Sequence, residues 1–474
     1  MDKPRFLISD FGASPDLKNC AAAINTAIDE ACESGGGVVV IPAGRWNSGT
    51  IELKNDVELY IEAGAELVCI FDEKILSGFS DSEAAQMLPA VFFIGAANTI
   101  NTSITGKGVI YGKGELSMID DHSDGGFDES PLAFIGFRPK LLLFYNCENL
   151  VIRDIVLKES ASWTLHLAGC RHVLIERITI QNNDRGANND GIDPDSCDDV
   201  TITGCNISTG DDAIVIKTGK ETSRRFGPCR NIVISNCILH SRDSALKIGT
   251  ETHALIENIV FVNCIANDCS RIAGIWVRDG AEVHNIWILN IRGSARRYAS
   301  SDRYPMHWWG KGEPVFISAA PRNAIVPRPG KIRNIHIDGL TANCESSFFV
   351  SGEPGSEIED IYITNTVLHF IRQGTQLTGI FDEQPSIRDF REHDIPAFYF
   401  NRVNNVFGKN ISVDFLTSKE GQTEKWTGIL ETEYCRNIEF RKVCADPARQ
   451  DLPGYIFSNS KNVNLENGEI TGTC

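Results

Sequence analysis

The chain has 474 residues, 42% hydrophobic and 23% charged, a balance that excludes a disordered polymer. Its formal net charge of −18 excludes a nucleic-acid partner, whose phosphates demand basic surface, and no apolar run reaches the roughly 20 residues of a membrane span. The length exceeds that of an ordinary single domain unless each part packs only on its neighbours, as in a solenoid.

The first residues run from Met1 straight into the strand-like Arg5-Phe6-Leu7-Ile8-Ser9, without a basic-then-apolar signal segment. As written this suits a cytoplasmic protein; a trimmed leader would make it secreted or periplasmic. Residues 5–15 and 38–42 read as strands around a helix over Leu17–Ser34, where Ala21, Ile24, Ile28, Ala31 and Cys32 recur at helical spacing before Gly35-Gly36-Gly37. That helix is expected to cover the apolar end of a stack of strands.

From about Val57 short β-branched runs recur after an Asn or Asp, as in Asn149-Leu150-Val151-Ile152, Asp199-Val200-Thr201-Ile202, Asn231-Ile232-Val233-Ile234 and Asn258-Ile259-Val260-Phe261. The pattern continues through Asn285, Asn334, Asp360, Asn405, Asn437 and Asn462, mostly at intervals of 23 to 32 residues. Asn and Asp tolerate the left-handed region of tight turns, so these anchors are read as structural. The intervals are too short for propeller blades of about 40–50 residues. They predict an all-β chain, 1–474, forming one single-stranded right-handed parallel β-helix. Insertions near 116–132, 295–314 (with His307, Trp308, Trp309 and Gly310) and 366–396 (with Phe381, Asp382 and Glu383) interrupt the repeat. Long loops on a rigid scaffold carry binding, and these are expected to wall off a groove.

Fifteen cysteines are an odd number, and many, such as Cys147, Cys170, Cys237, Cys264 and Cys435, sit beside the repeat anchors. They read as small apolar filler in a reducing compartment rather than as disulfides. No Cys-x-x-Cys or paired-His spacing suggests zinc, so neither metal nor cofactor is expected.

The chemistry concentrates between Asn188 and Lys217. Asp190 precedes the pair Asp211 and Asp212 by one repeat, 21 positions, so coil stacking should bring the three carboxylates onto one face. Carboxylates that close cannot all ionise independently, which pushes their pKa values apart and suits general acid and base work on a glycosidic bond.

Asn188-Asn189-Asp190 with Gly210-Asp211-Asp212 resembles the Asn-Thr-Asp and Gly-Asp-Asp motifs of glycoside hydrolase family 28, the polygalacturonases and their relatives. The likeness extends to Ile214-Val215-Ile216-Lys217, to Arg138-Pro139-Lys140 and to Ser162-Trp163-Thr164-Leu165-His166, and covers roughly residues 5 to 320. It implies a pectin-lyase-like solenoid and an inverting hydrolase of pectin-related, galacturonan- or rhamnogalacturonan-type oligosaccharides. In that reading Asp211 is the general acid, Asp190 and Asp212 bind and deprotonate water, Asn188 orients its neighbours, and Lys217 contacts substrate. Inversion calls for carboxyl groups about 6.5–9.5 Å apart. Asp193 and Asp195 more simply satisfy a turn around Pro194.

Two departures stand out. Ser244 occupies the place of the family's Gly-His-Gly histidine, within Asp243-Ser244-Ala245-Leu246-Lys247-Ile248-Gly249. The Arg-Ile-Lys motif appears as Trp276-Val277-Arg278. These put endo-polygalacturonase action in doubt and leave the acidic core intact. Lys247 and Arg278 are then the candidate cations for an acidic sugar, and Trp276 a candidate platform for an apolar sugar face. Trp163, His166, Trp308 and Trp309 are further substrate-binding candidates, each with a packing alternative. A polysaccharide lyase on the same fold and a non-catalytic carbohydrate-binding β-helix are the competing readings. The loops, the acidic charge and the missing leader favour an exo-acting enzyme on short fragments.

Overall fold

A computed structural model describes residues 3–120, 131–298, 309–326, 328–374, 379–388, 390–416, 425–445 and 453–466. The chain divides into two compact units, one of residues 1–121, 131–215 and 221–237 and the other of residues 122–130, 216–220 and 238–474. Each is built from parallel strands stacked coil upon coil.

In the first unit one ladder runs through Arg5–Leu7, Gly37–Ile41, Val57–Ile61, Ser103–Gly106, Val151–Arg153, Arg171–Glu176, Asp198–Thr203 and Cys229–Ser235. Another begins at Ile51–Glu52 and passes through Phe92–Ala97, Lys140–Tyr145 and Leu165–Ala168 to Ile192–Asp195. Alternate residues point inward: Val200, Ile202, Ile232 and Ile234 are buried, while Thr201 and Val233 between them face outward. In the second unit the corresponding ladders run from Ile256–Val262 to Lys461–Glu466 and from Ser244–Thr252 to Tyr455–Ser458. This is a parallel β-helix, as the repeat predicts.

The repeat anchors explain themselves. Asn149, Asn285, Asn334, Asn405, Asn437 and Asn462 all have φ near +55°. Their side-chain amides form ladders between coils, with Asn149 donating to Asn101 at 3.0 Å, Asn334 to Asn285 at 2.7 Å and Asn437 to Asn405 at 2.9 Å. One residue type thus supplies both the left-handed turn and the contact to the next coil.

The helix spans Ala21–Glu33, shorter than the expected Leu17–Ser34. Asn19 sets the start: its Oδ1 accepts the N–H of Ala21 at 2.9 Å and of Gly49 at 3.0 Å, tying the helix entry to the first coil. Ala23, Ile24, Ala27, Ile28 and Ala31 form its buried face, which packs on the first strands and closes the apolar end of the stack.

Thirteen cysteines among the described residues are free, and nearly all are buried. Cys147, Cys170, Cys197 and Cys229 sit in successive coils of the first unit, and burial pushes their thiols up. Cys444 is disulfide-bonded, which corrects the all-filler reading at that position. Among the described residues no helix is long and apolar enough to cross a membrane. The cytoplasmic expectation gains no support from the fold.

Parts of the three insertions, including Trp308 and His307, lie outside the described residues. Residues 366–371 are not insertion at all but the end of the strand Glu357–Ile371, paired with Ile411–Leu416. The alternation of Thr366, Leu368 and Phe370 into the core carries the strand further than the anchor spacing alone suggests.

Candidate active site

Asp190 lies just before the strand Ile192–Asp195, and Asp211 and Asp212 just before Ile214–Thr218. All three are buried, and one carboxylate oxygen from each lies within 4.8 Å of the others.

Close coil packing produces this convergence. A Cβ on Gly191 would sit 2.4 Å from the carbonyl oxygen of Ala213, and one on Gly210 2.4 Å from the backbone nitrogen of Gly186. Only glycine permits both approaches. Asn189, fully buried, is the cross-link. Its Oδ1 accepts the backbone N–H of Gly210 at 2.9 Å and of Asp211 at 3.1 Å, while its amide donates to the Asn183 carbonyl at 2.7 Å. Asn182 extends the network, donating to Thr164 Oγ1 at 2.7 Å and to the Asn189 carbonyl at 2.8 Å.

Asp211 is held at both carboxylate oxygens. Its Oδ2 accepts the backbone N–H of Asn188 at 3.0 Å and the Asn188 amide at 3.5 Å, and its Oδ1 accepts the backbone N–H of Asp212 at 2.9 Å. Asn188 holds the left-handed conformation, φ 52°, that aims its N–H there.

Behind Asn188 stands Arg138. Its guanidinium donates to Asn188 Oδ1 at 3.2 Å, to the Ala161 carbonyl at 2.8 Å and to the Ala187 carbonyl. Burial pulls its pKa below the ordinary arginine value, and the charges of Asp211 and Asp190 oppose that fall. Arg138 and Asn189 are absent from the candidate set drawn from the sequence, although both stand in quoted motifs; their signal was adjacency to motif residues, which spacing alone does not turn into contact.

Trp163 lies one coil below Asp190, because the N–H of the adjoining Thr164 donates to the Asp190 carbonyl at 2.8 Å. The Lys140 ammonium sits 3.7 Å from the centre of its half-buried ring, which His166 meets edge-on at 4.8 Å. His166 is buried, with Nε2 3.4 Å from Asp195 Oδ2. Asp193 and Asp195 are not turn residues: they belong to a strand paired with Leu165–Ala168, Pro194 included, and Asp195 accepts the Thr222 hydroxyl at 2.7 Å. Coil pairing overrides the turn preference of proline here.

The remaining candidates belong to the second unit. Lys217 is buried, with Nζ 4.0 Å from Glu251. Lys247 is buried and paired with Asp243 at 3.1 Å, and Asp243 also accepts Arg271 Nη1 at 2.7 Å. Trp276 is 1% exposed and stacks on Phe316 with ring centres 4.6 Å apart. This corrects the sugar-platform reading, since its faces are spent on Phe316 and on the Arg271 and Lys247 cations. Arg278 is likewise no surface cation: it is fully buried and donates to the carbonyls of Pro385 at 2.7 Å, Glu383 at 2.8 Å and Ser318 at 3.0 Å. Burial pulls it down to about 9. Trp309 is buried against Tyr298, so the packing alternative describes it.

Two groups among the described residues have donor atoms close enough to hold a metal ion: the Asp190, Asp211 and Asp212 trio itself, and His393 with Glu431 and Glu433.

Residues 38–264, which include every trio residue, match the family model of glycosyl hydrolases family 28. This chain is a polygalacturonase-like member of that family. A "Probable polygalacturonase" of Vitis vinifera is 29% identical over 382 residues, covering 76% of this chain and 73% of its own length. The solved structure of a hyperthermoactive exopolygalacturonase from Thermotoga maritima superposes with a TM-score of 0.63 at 21% identity, covering 81% of this chain and 90% of that one. That of a family 28 exopolygalacturonase from Yersinia enterocolitica gives 0.69 at 17% identity, covering 98% and 78%. At those identities the structures speak to the fold. The family 28 chain is therefore a glycoside hydrolase acting on oligo- or polysaccharide.

Proposed function

We propose that this family 28 hydrolase cleaves galacturonan-type linkages in pectin-related oligosaccharides, with Asp211 as general acid and Asp190 and Asp212 holding the attacking water. The convergence of the three carboxylates within 4.8 Å is the observation that carries the reading. Carboxyls that close can divide the work, one donating a proton to the leaving oxygen while the others act on water. The resemblance gives that part to Asp211, which its hydrogen bonds hold in one orientation. A carboxylate pair beside it serves as base for water. Lys140, whose ammonium sits over the Trp163 ring one coil away, offers a cation to an acidic sugar.

Incubation with defined pectic oligosaccharides, galacturonan and rhamnogalacturonan series side by side, tests the substrate class. Release of reducing ends from the galacturonan series, undiminished by EDTA, is expected; release only from neutral glycans overturns it. Stereochemistry has a second reading. Retaining sites hold their two carboxyl groups ~5–5.5 Å apart and inverting ones ~6.5–9.5 Å. Nearest oxygens understate the separation of whole carboxyl groups, and the family likeness favours inversion. Proton NMR of the first-formed anomer decides: the β product from an α linkage marks inversion.

A further inference from the structure

In the ladders that include Lys140–Tyr145 and Tyr455–Ser458, the position after several of the strands adopts the left-handed conformation. Asn98, Asn146, Gly169, Ser196 and Asn459 fill it, residues that accept positive φ at low cost. Two adjacent coils of the second unit place large residues there. After Phe398–Asn401 stands Arg402 at φ 56°, and after its partner strand Leu430–Glu433 stands Tyr434 at φ 54°. Large side chains in this conformation carry some strain, which the coils also accept at His172, Arg177 and Lys442.

What the two residues share is a cavity of about 300 Å³, lined also by Phe381, Arg388, Arg391 and Glu433. The Arg402 guanidinium lies 4.2 Å from the centre of the Tyr434 ring, and that side chain is half exposed. Arg402 Nε is buried without an acceptor among the described residues. Arg388 is bound to Glu383 at 3.2 Å and to Glu353, and Arg391 to the Tyr399 hydroxyl. Burial pushes the Arg388 guanidinium down, and Arg391 and Arg402 push it further. Three guanidiniums and two carboxylates, Glu383 and Glu433, line the cavity; Arg388 is neutralised by Glu383 and Glu353, which leaves Arg402, with its unaccepted Nε, as the cation turned to a ligand.

We propose that this cavity is a second carbohydrate site, binding a carboxylate-bearing saccharide through Arg402 and packing its ring on Tyr434. The mix of aromatic walls and a few convergent polar groups is that of a small-ligand pocket, and a guanidinium matches a carboxylate bidentately. The cavity is independent of the catalytic trio, none of whose residues lines it.

The test uses the full chain carrying Asp211→Asn, so that saccharide is not consumed. Calorimetric titration with trigalacturonate in EDTA should show two sets of sites. Adding Arg402→Asn or Tyr434→Asn should remove one set, weakening it at least tenfold. Both substitutions install the residue other coils use at this turn, so melting temperature should hold or rise. Should the catalytic reading fail, the parent shows one set and these variants none. Isotherms unchanged by either substitution overturn the proposal. So does equal binding of the neutral galactose trimer, or of inorganic phosphate, at this site. As a check independent of substitution, a crystal of the Asp211→Asn chain soaked in trigalacturonate should hold saccharide between Arg402 and Tyr434. An empty cavity beside an occupied catalytic site overturns the assignment.

Discussion

Asn189 Oδ1 receives the backbone N–H of Asp211 at 3.1 Å from the following coil, together with that of Gly210 at 2.9 Å. One buried amide thus fixes the strand entry on which the general acid is mounted. Replacing Asn189 by Ala orphans two buried donors, each costing about 1–3 kcal/mol. Urea unfolding should show a loss of that order, and turnover should fall with it because Asp211 loses its fixed backbone.

Asp211→Asn keeps the shape and removes the proton. Turnover on an unactivated substrate should fall by about 10²–10⁴-fold, the scale of general acid catalysis, with the circular dichroism and melting temperature little changed. Near-normal turnover would assign the acid elsewhere, Asp190 or Asp212 being the next to test.

Arg138 acts through its neighbours. It holds the Asn188 turn and lends positive potential to Asp211 and Asp190. Arg138→Gln can still donate to the carbonyls but carries no charge. The carboxyls then become harder to ionise, so their pKa values rise. The acidic limb of the pH–rate profile should move to higher pH, with kcat reduced. A merely structural arginine would lower activity without moving that limb.

The fold was legible because the Asn anchors report a local need, the left-handed turn, that each coil meets separately. The trio was legible because one repeat separates Asp190 from Asp211. The outcome differed for Trp276 and Arg278. Trp276 lies in the strand Arg271–Val277 and Arg278 just after it; that strand and its partner Glu313–Ala319 are buried on both faces, so inward and outward residues look alike in the sequence. What surrounds them is a buried ionic network of Asp243, Arg271 and Glu313, whose members come from separate coils. Sequence order gives no sign of such a meeting. The same holds for Arg138, which reaches Asn188 across 50 positions.

Acid stability should report on Asp279 in the second unit. Burial raises its pKa, but the Arg322 fork, at 2.8 Å to each oxygen, and the Thr252 N–H outweigh this and leave it below 3.8. A carboxylate with a depressed folded pKa stabilises above its unfolded value and loses that contribution as pH falls through the folded one. Stability should therefore drop below about pH 4. Asp279→Asn should be less stable at neutral pH and should lose part of that acid dependence. Denaturant midpoints taken between pH 6 and pH 2.5 measure both. An unchanged acid slope would place the titration in other groups.

The position of cleavage along the sugar chain is the last outcome. Exo action on short oligosaccharides is expected, for an electrostatic reason first. A chain of net charge −18 repels a long polyuronate, and screening beyond about 8–10 Å weakens but does not reverse that. A short fragment carries fewer charges and meets less repulsion. The family departures point the same way: the cations expected to grip an extended uronate, Lys247 and Arg278, are buried and engaged. An exo enzyme releases one small product from its first turnover, whereas an endo enzyme collapses viscosity and yields mid-sized fragments early. Time courses on polygalacturonate, read by product size and viscosity together, separate the two. Raising ionic strength should speed action on the polymer more than on the trimer, since only the polymer carries charge beyond the screening length. A broad early ladder, with no such salt dependence, would overturn the exo assignment and the electrostatic argument together.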